Sequence, residues 1–186
     1  HFPLEVKAST EVVLSFSDSV VTETASGSGY QIEGTSLTIT ANGQYRIKGN
    51  CAEGNIVVEK NLSNVVLFFD NLDLSCSATA PVVIKKGTTA VIQLVGASAL
   101  ADQEDASTEE TNADFEGACM KVKSGSSLVF CGTGSLSIDG NAKNGIKGGA
   151  EAEISFYEGS YNVTAVNNGI AADGSLLFYG GSFEIE

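Results

Sequence analysis

Phe156-Tyr-Glu-Gly-Ser160 returns 22 residues later as Phe178-Tyr-Gly-Gly-Ser182, and Asn144-Gly-Ile146 returns 24 residues later as Asn168-Gly-Ile170. One step earlier, Phe130, in Leu128-Val-Phe130 before Gly132, precedes Phe156 by 26 residues. Self-similarity at roughly 20–50 residues marks architectures in which each repeat buries its apolar face against its neighbours. Outward from these motifs, apolar residues fall at every second position in Ser36-Leu-Thr-Ile-Thr40, Asn55-Ile-Val-Val-Glu59, Pro81-Val-Val-Ile-Lys85, Val91-Ile-Gln-Leu94, Ser135-Leu-Ser-Ile138 and Ser182-Phe-Glu-Ile185. That alternation, rich in β-branched residues and punctuated by Gly, Asn and Ser, reads as short strands. Glycine interrupts every run that could hold a helical period, so very little helix is expected.

About three strands of four or five residues, at ~3.3 Å per residue, plus tight turns use up such a repeat. The expected fold class is therefore all-β: a right-handed, single-stranded parallel β-helix, a solenoid with coils of 22–26 residues, the spacings of the repeats themselves. An immunoglobulin-like sandwich has as many short strands but gives no reason for this recurrence. Stacked coils would place Asn144 over Asn168 and Phe156 over Phe178, about 4.8 Å apart, as structural ladders. Two segments break the pattern: residues 1–27, irregular and expected to cap the first coil, and residues 99–117, an acidic insertion in the body that spans 28–186. The sequence stops at Ile185-Glu186 within a strand pattern, which reads as a fragment or as an uncapped coil that contacts another chain end to end.

Composition excludes several functions. Asp and Glu outnumber Lys and Arg by 23 to 10, a formal charge of −13. Such a surface repels nucleic acid and anionic membrane faces, whose partners need clustered cations. The longest apolar run, Val65 to Phe69, is far short of the ~20 residues that span a bilayer, so a soluble domain without membrane insertion is expected. The one histidine is His1, which rules out a His-based triad or a multi-His metal site. Cys51, Cys76, Cys119 and Cys131 contain no C-x-x-C pair, against a zinc site. Cys76 keeps phase with Leu72 and Leu74 and reads as buried, whereas Cys119 and Cys131 alternate opposite Met120 and Phe130 and read as outward, where an oxidising environment could bridge them.

Gly34-Thr-Ser-Leu-Thr-Ile-Thr-Ala-Asn-Gly-Gln-Tyr-Arg-Ile-Lys-Gly49, Glu53-Gly-Asn-Ile-Val-Val-Glu59, Val65-Val-Leu-Phe-Phe-Asp-Asn-Leu-Asp-Leu74 and Ala80-Pro-Val-Val-Ile-Lys85 together resemble the opening of a family of bacterial secreted β-helix proteins with carbohydrate-binding domains. Asn144-Gly-Ile-Lys147 and Asn168-Gly-Ile170 resemble that family's later D-G-I-K coils, and the likeness covers roughly residues 28–186. The resemblance implies a pectate-lyase-like fold, an extracellular or cell-surface location, and calcium-assisted binding of cellulose-like or uronic acid polysaccharides without established catalysis. Where family coils carry Asn-Asp or Asp-Asp before Gly-Ile, this chain has Lys143-Asn144 and Asn167-Asn168, which weakens any calcium site in those turns.

Calcium takes six to eight oxygen ligands, roughly, from carboxylates, amides and carbonyls. The candidate metal ligands are Asp105, Asp114 and Glu116 in the acidic loop, Asp139, Asn141 and Asn144 in Asp139-Gly-Asn-Ala-Lys-Asn144, and Asp173 one coil later. A −13 chain and an anionic polysaccharide repel, so their association needs a bridging cation or local lysines. Lys121, Lys123 and Lys147 are those lysines, with Lys123 and Lys147 one coil apart. Tyr157 and Tyr179, beside inward phenylalanines, are expected to face outward as a small platform for sugar rings. No residue stands out as catalytic: Arg46, the one arginine that could serve as a lyase base, lies far in sequence from the acidic loop. The expected function is non-catalytic polysaccharide binding outside a bacterial cell. An adhesin-like module with protein partners and a weak polysaccharide lyase are the alternatives.

Overall fold

The computed structural model describes residues 11–186; the first ten residues of the expected N-terminal cap lie outside them. Alternating sequence becomes strand throughout, and the described residues form nineteen strands and one 3-10 turn, Ala106–Thr108. In order, the strands are β1 (Val12–Phe16), β2 (Val21–Ala25), β3 (Tyr30–Glu33), β4 (Ser36–Ile39), β5 (Gly43–Cys51), β6 (Asn55–Val58), β7 (Val65–Cys76), β8 (Val82–Ile84), β9 (Thr89–Val95) and β10 (Ala97–Asp102). After the acidic loop come β11 (Ala118–Val122), β12 (Ser127–Cys131), β13 (Ser135–Gly140), β14 (Asn144–Gly148), β15 (Glu153–Phe156), β16 (Ser160–Ala165), β17 (Ile170–Ala172), β18 (Ser175–Phe178) and β19 (Ser182–Ile185).

These strands gather into two sheets. The larger has twelve strands, nine of them in the order β18-β15-β12-β9-β7-β10-β13-β16-β19, with β5, β1 and β2 joined to it through β7. The smaller has seven, in the order β17-β14-β11-β8-β6-β4-β3. The 12-residue β7 is the pivot: Val65–Asp70 pair with β9, and Asp73–Cys76 pair with β10. The large sheet thus bends through β7 into two limbs, a half-barrel that the second sheet closes around one apolar core.

This corrects the expected right-handed single-stranded β-helix, and the solenoid description with it. That expectation distributes short, equivalent strands over separate faces. The chain instead forms two sheets, both mixed, with antiparallel pairs β1–β2 and β3–β4 on the N-terminal side and a 12-residue strand shared by both limbs of the larger one. Repeat spacing reports which residues become lateral neighbours, and says nothing of how many strands merge into one sheet.

The neighbours themselves are in register. Leu128, Ile154 and Leu176 align across β12, β15 and β18, as do Phe130, Phe156 and Phe178. The phenylalanine rings stack at 4.7 and 5.1 Å, nearly parallel. Tyr161, from the opposite limb, meets Phe156 edge-on at 5.1 Å, and its hydroxyl donates to the Glu158 carbonyl at 2.7 Å. Aromatic pairs in these geometries add to the burial of their area.

On the N-terminal side, β1 runs parallel to β5, with Phe16 opposite Gly49. Gly49 adopts φ +96°, and a Cβ there would lie 2.2 Å from the Phe16 carbonyl oxygen. Gly49→Ala is expected to cost about 1–2 kcal/mol through strain and loss of the β1 register. A urea midpoint equal to wild type would refute that close approach.

Three further expectations change. The acidic loop begins later than residue 99, because β10 runs to Asp102. Cys119 is fully buried rather than outward: its thiol donates to the carbonyls of Asp139, 3.1 Å, and Leu100, 3.5 Å. Cys131 does lie on the outer face, but under a small apolar cluster with Val66, Phe68 and Val91, and all four cysteines are free thiols. Nothing in the structure supports the end-to-end contact expected at the last coil, where β19 pairs with β16.

Candidate functional site

β11 and β14 lie side by side in the smaller sheet, and their register sets Lys121 opposite Lys147. The acidic loop, residues 103–117, leaves β10 and returns at β11, so its end folds over the same edge. Its two ends are pinned by Glu104, a buried carboxylate that accepts the backbone N–H groups of Glu116 and Gly117, both at 2.8 Å. Gly117, at φ +66°, makes the return turn; a Cβ there would meet the Phe115 ring at 3.1 Å. A glycine is what allows Phe115 to lie beside Lys143.

The result is a cleft of about 460 Å³. Lys121, Lys143 and Lys147 line it together with Asn144, Asn167, Asn168, Phe115, Glu109 and Glu116. Lys123 belongs to the same cluster through Glu116, its ion-pair partner. Four of the nine lysines of a −13 chain thus converge on one place. Three of them hold a carboxylate of the chain itself: Lys123 with Glu116, Lys143 with Glu109 at 2.6 Å and Lys147 with Asp173 at 2.6 Å. Among the described residues Lys121 has no carboxylate partner, and it donates to the Glu116 carbonyl at 3.3 Å. Burial, resisted by Glu116 and aided by Lys123, Lys147 and Lys143, holds its ammonium below the usual lysine range. A half-buried, electrostatically crowded cation of this kind gains most from an incoming anion.

The asparagines form a fixed amide floor. Asn144 is buried; its Nδ2 donates to the Gly117 carbonyl at 3.1 Å. Its Oδ1 accepts the Asn168 N–H and Nδ2, each at 3.3 Å, and the Asn167 Nδ2 at 3.4 Å. Amides that satisfy one another in this way hold their outer donors and acceptors in place for a hydroxyl-rich ligand.

Of the candidate metal ligands, Glu116 and Asn144 line the cleft and Asp173 adjoins it through Lys147, while Asp105, Asp114, Asp139 and Asn141 are occupied or exposed elsewhere. Asp105 caps the 3-10 turn and accepts the Ser107 N–H at 2.9 Å and hydroxyl at 2.7 Å. Asp114 and Asn141 are exposed, and Asp139 points outward from β13 between Ala101 and Thr164. Glu116 and Asp173 are held by lysines, and Asn144 is occupied by its amide neighbours. Among the described residues, no group of three or more His, Cys, Asp or Glu side chains is placed to hold an ion. Of these candidates, Glu116 and Asp173 already have an ammonium as their counter-charge.

Of the expected carbohydrate ligands, Lys121, Lys123 and Lys147 lie in or against the cleft, while Tyr157 and Tyr179 stack on each other at 4.7 Å on the corner after β15 and β18. Lys143, Phe115, Asn167 and Asn168 are cleft residues that sequence reasoning passed over as ligands. The pair Lys143-Asn144 carried the signal, as a departure from the coil pattern it resembled.

A family model described as "Carbohydrate-binding domain-containing protein" matches residues 33–186. The chain belongs to this carbohydrate-binding domain family. Among solved structures, it is similar to a polysaccharide lyase-like protein from C. thermocellum, determined as a gadolinium derivative, with a TM-score of 0.70 and 20% identity over 94% of this chain and 82% of that one. At that identity the likeness is one of fold. No curated protein matches the sequence.

Proposed function

We propose that this protein binds an acidic, uronate-type polysaccharide outside the bacterial cell, without catalysis, and that the lysine-asparagine cleft holds it. The convergence of Lys121, Lys143 and Lys147 on one cleft of a −13 chain carries this reading. A uronate carboxylate takes the place of Glu109 or Asp173 on its lysine, the half-buried Lys121 gains a counter-charge, and the amides of Asn167 and Asn168 meet ring hydroxyls. Phe115 offers an apolar face at the rim. Because lysines supply the positive charge, binding needs no calcium.

The non-catalytic part is supported by the state of the lone arginine. Arg46 donates to Glu11 at 2.8 and 3.2 Å and to Asp70 at 3.1 Å, and lies over the Phe68 ring. Its guanidinium is committed on β5 and does not line the cleft.

Titration of polygalacturonate by calorimetry tests the reading. Lys121→Met with Lys147→Met keeps the apolar stems and removes two charges, and is expected to weaken binding at least tenfold. A chelator should leave wild-type affinity unchanged, and added salt should lower it as the contacts are screened. Undiminished binding by the double variant, or binding that collapses on chelation, overturns the proposal.

A further inference from the structure

Asp102 is the last residue of β10, and Glu104 follows it at the root of the acidic loop. Both side chains are buried. Glu104 accepts the N–H groups of Glu116 and Gly117, which closes the loop. The cleft is built on the other side of the same Glu116-Gly117 segment. The Gly117 carbonyl accepts the Asn144 N–H at 3.0 Å and its Nδ2 at 3.1 Å. The Glu116 carbonyl accepts Lys121, and the Glu116 carboxylate holds Lys123. A change that loosens Glu104 from these two amides therefore reaches Asn144, Lys121 and Lys123 together.

Asp102 is placed to make that change. Packed around it are Cys76 of β7 and Gly140 of β13, its register partners, and Cys119 of β11. Burial holds both thiols neutral, and Asp139, one position before Gly140, turns its side chain outward. The charged group that faces Asp102 is the Glu104 carboxylate, within hydrogen-bond reach. Around Glu104 itself, burial favours the proton most, the Glu116 and Gly117 N–H groups oppose it, and Glu116 and Lys121 pull in opposite directions. The Asp102 Oδ2 has no hydrogen-bond partner among the described residues. While Asp102 carries a proton, its hydroxyl can donate to Glu104 and the pair bears one charge. Without that proton, two carboxylates face each other where water does not reach, an arrangement that raises the energy of the charged form.

We infer that Asp102 and Glu104 form a proton-operated latch on the lysine cleft: with a proton between them the acidic loop is clasped and the cleft assembled, and loss of that proton releases the loop. This rests on the cleft being the polysaccharide site. Burial holds the Asp102 carboxyl at about 6 rather than 3.8. A carboxyl raised in the clasped state favours that state while protonated, and the contribution is lost as pH rises through 6. Opening returns Asp102 to water, so the ratio of open to clasped loop is expected to rise about tenfold from pH 5 to pH 8. The protein then grips an acidic chain best in mildly acidic surroundings, where uronate carboxylates are already ionised.

Amide hydrogen exchange reads the latch directly. In wild type, the Glu116 and Gly117 amides are expected to exchange faster than the Phe130 amide of β12, through an opening local to the loop. Their protection, corrected for intrinsic exchange, should fall about tenfold between pH 5 and pH 8. Asp102→Asn keeps a hydrogen bond to Glu104 without the charge, and its protection should be the same at both. Polygalacturonate should bind wild type severalfold more weakly at pH 8 than at pH 5, and Asp102→Asn equally at both. Lys121 is common to the two proteins and does not account for that difference. Wild-type protection that is flat with pH, that falls as much in Asp102→Asn, or that only matches the Phe130 amide overturns the latch, as does equal wild-type affinity at both pH values. Absence of polygalacturonate binding at either pH overturns the proposed function instead, and the exchange result still decides the latch.

Discussion

Phe156→Ala is expected to lower stability by about 3–5 kcal/mol, the range for removing a buried aromatic side chain. Phe156 is wholly buried, stacked between Phe130 and Phe178 and met edge-on by Tyr161 and Phe183, at 4.7 to 5.2 Å. It joins the two limbs of the large sheet, so its removal opens a void that neither limb can close alone. Against a typical total of about 5–15 kcal/mol, this loss is a large fraction. Urea unfolding followed by circular dichroism measures it, and Phe156→Leu, which keeps most of the volume, should lose less than half as much. A loss under about 1 kcal/mol for the alanine variant would mean that the ring stack is not the joint between the limbs.

Asp102→Asn is expected to stabilise the protein above neutral pH. Asp102 is fully buried at the end of β10; its Oδ1 accepts the Glu104 N–H at 3.0 Å, and its Oδ2 has no hydrogen-bond partner among the described residues. Burial pushes the carboxyl up from 3.8 to about 6; the Glu104 N–H resists the rise and the Glu104 carboxylate adds to it. The thiol of Cys119, raised by burial and then by Asp102, packs beside it and donates to the Asp139 carbonyl. A carboxyl raised on folding favours the native state while protonated. Its contribution is complete below about pH 4, the unfolded value, and is lost as pH rises through 6. At ~1.4 kcal/mol per unit, the penalty above pH 7 is on the order of 2–3 kcal/mol. Asparagine keeps the acceptor and stays neutral, so the two proteins should melt alike near pH 4 and diverge by pH 8, with the variant higher. Parallel melting curves across that range would show that Asp102 is not the titrating group.

How much of this was legible beforehand differs by level. Lateral neighbours were readable because repeated motifs and strand register are the same fact: Phe156 and Phe178 pair, and Asn144 bonds Asn168. Sheet membership was not, because nothing in Val65-Val-Leu-Phe-Phe-Asp-Asn-Leu-Asp-Leu74 marks it as one strand shared by both limbs, continuous through Asn71 at φ +49°. Cys119 was misassigned because strict alternation fails in β11, where Ala118, Cys119 and Met120 are all buried and the Cys119 thiol meets the carbonyls of Leu100 in β10 and Asp139 in β13. The cleft was half visible: Lys121, Lys123 and Lys147 stood out as the local cations. Lys143 and Phe115 did not, because what brings them together is the Glu104 clasp, a contact 12 and 13 residues long in sequence.

If the lysine cleft holds an acidic chain as proposed, the pairing of Lys121 with Lys147 also sets the valency of the protein. Position 147 continues as Ala171 on one side, and position 121 as Val83 on the other, so the row of charge is two strands wide. A site of that width, about 5 Å between strands, grips one or two sugar residues of a long polymer. Exposed ion pairs contribute only about 0.2–1 kcal/mol each, so a single protein holds a single stretch weakly and lets go quickly. Retention on a polyanionic matrix then comes from number: several copies, or several modules on one chain, gain roughly 10²–10⁴ in avidity without any new contact. On the proposed function, the fold then makes a reversible fastener, whose grip is set by how densely it is displayed.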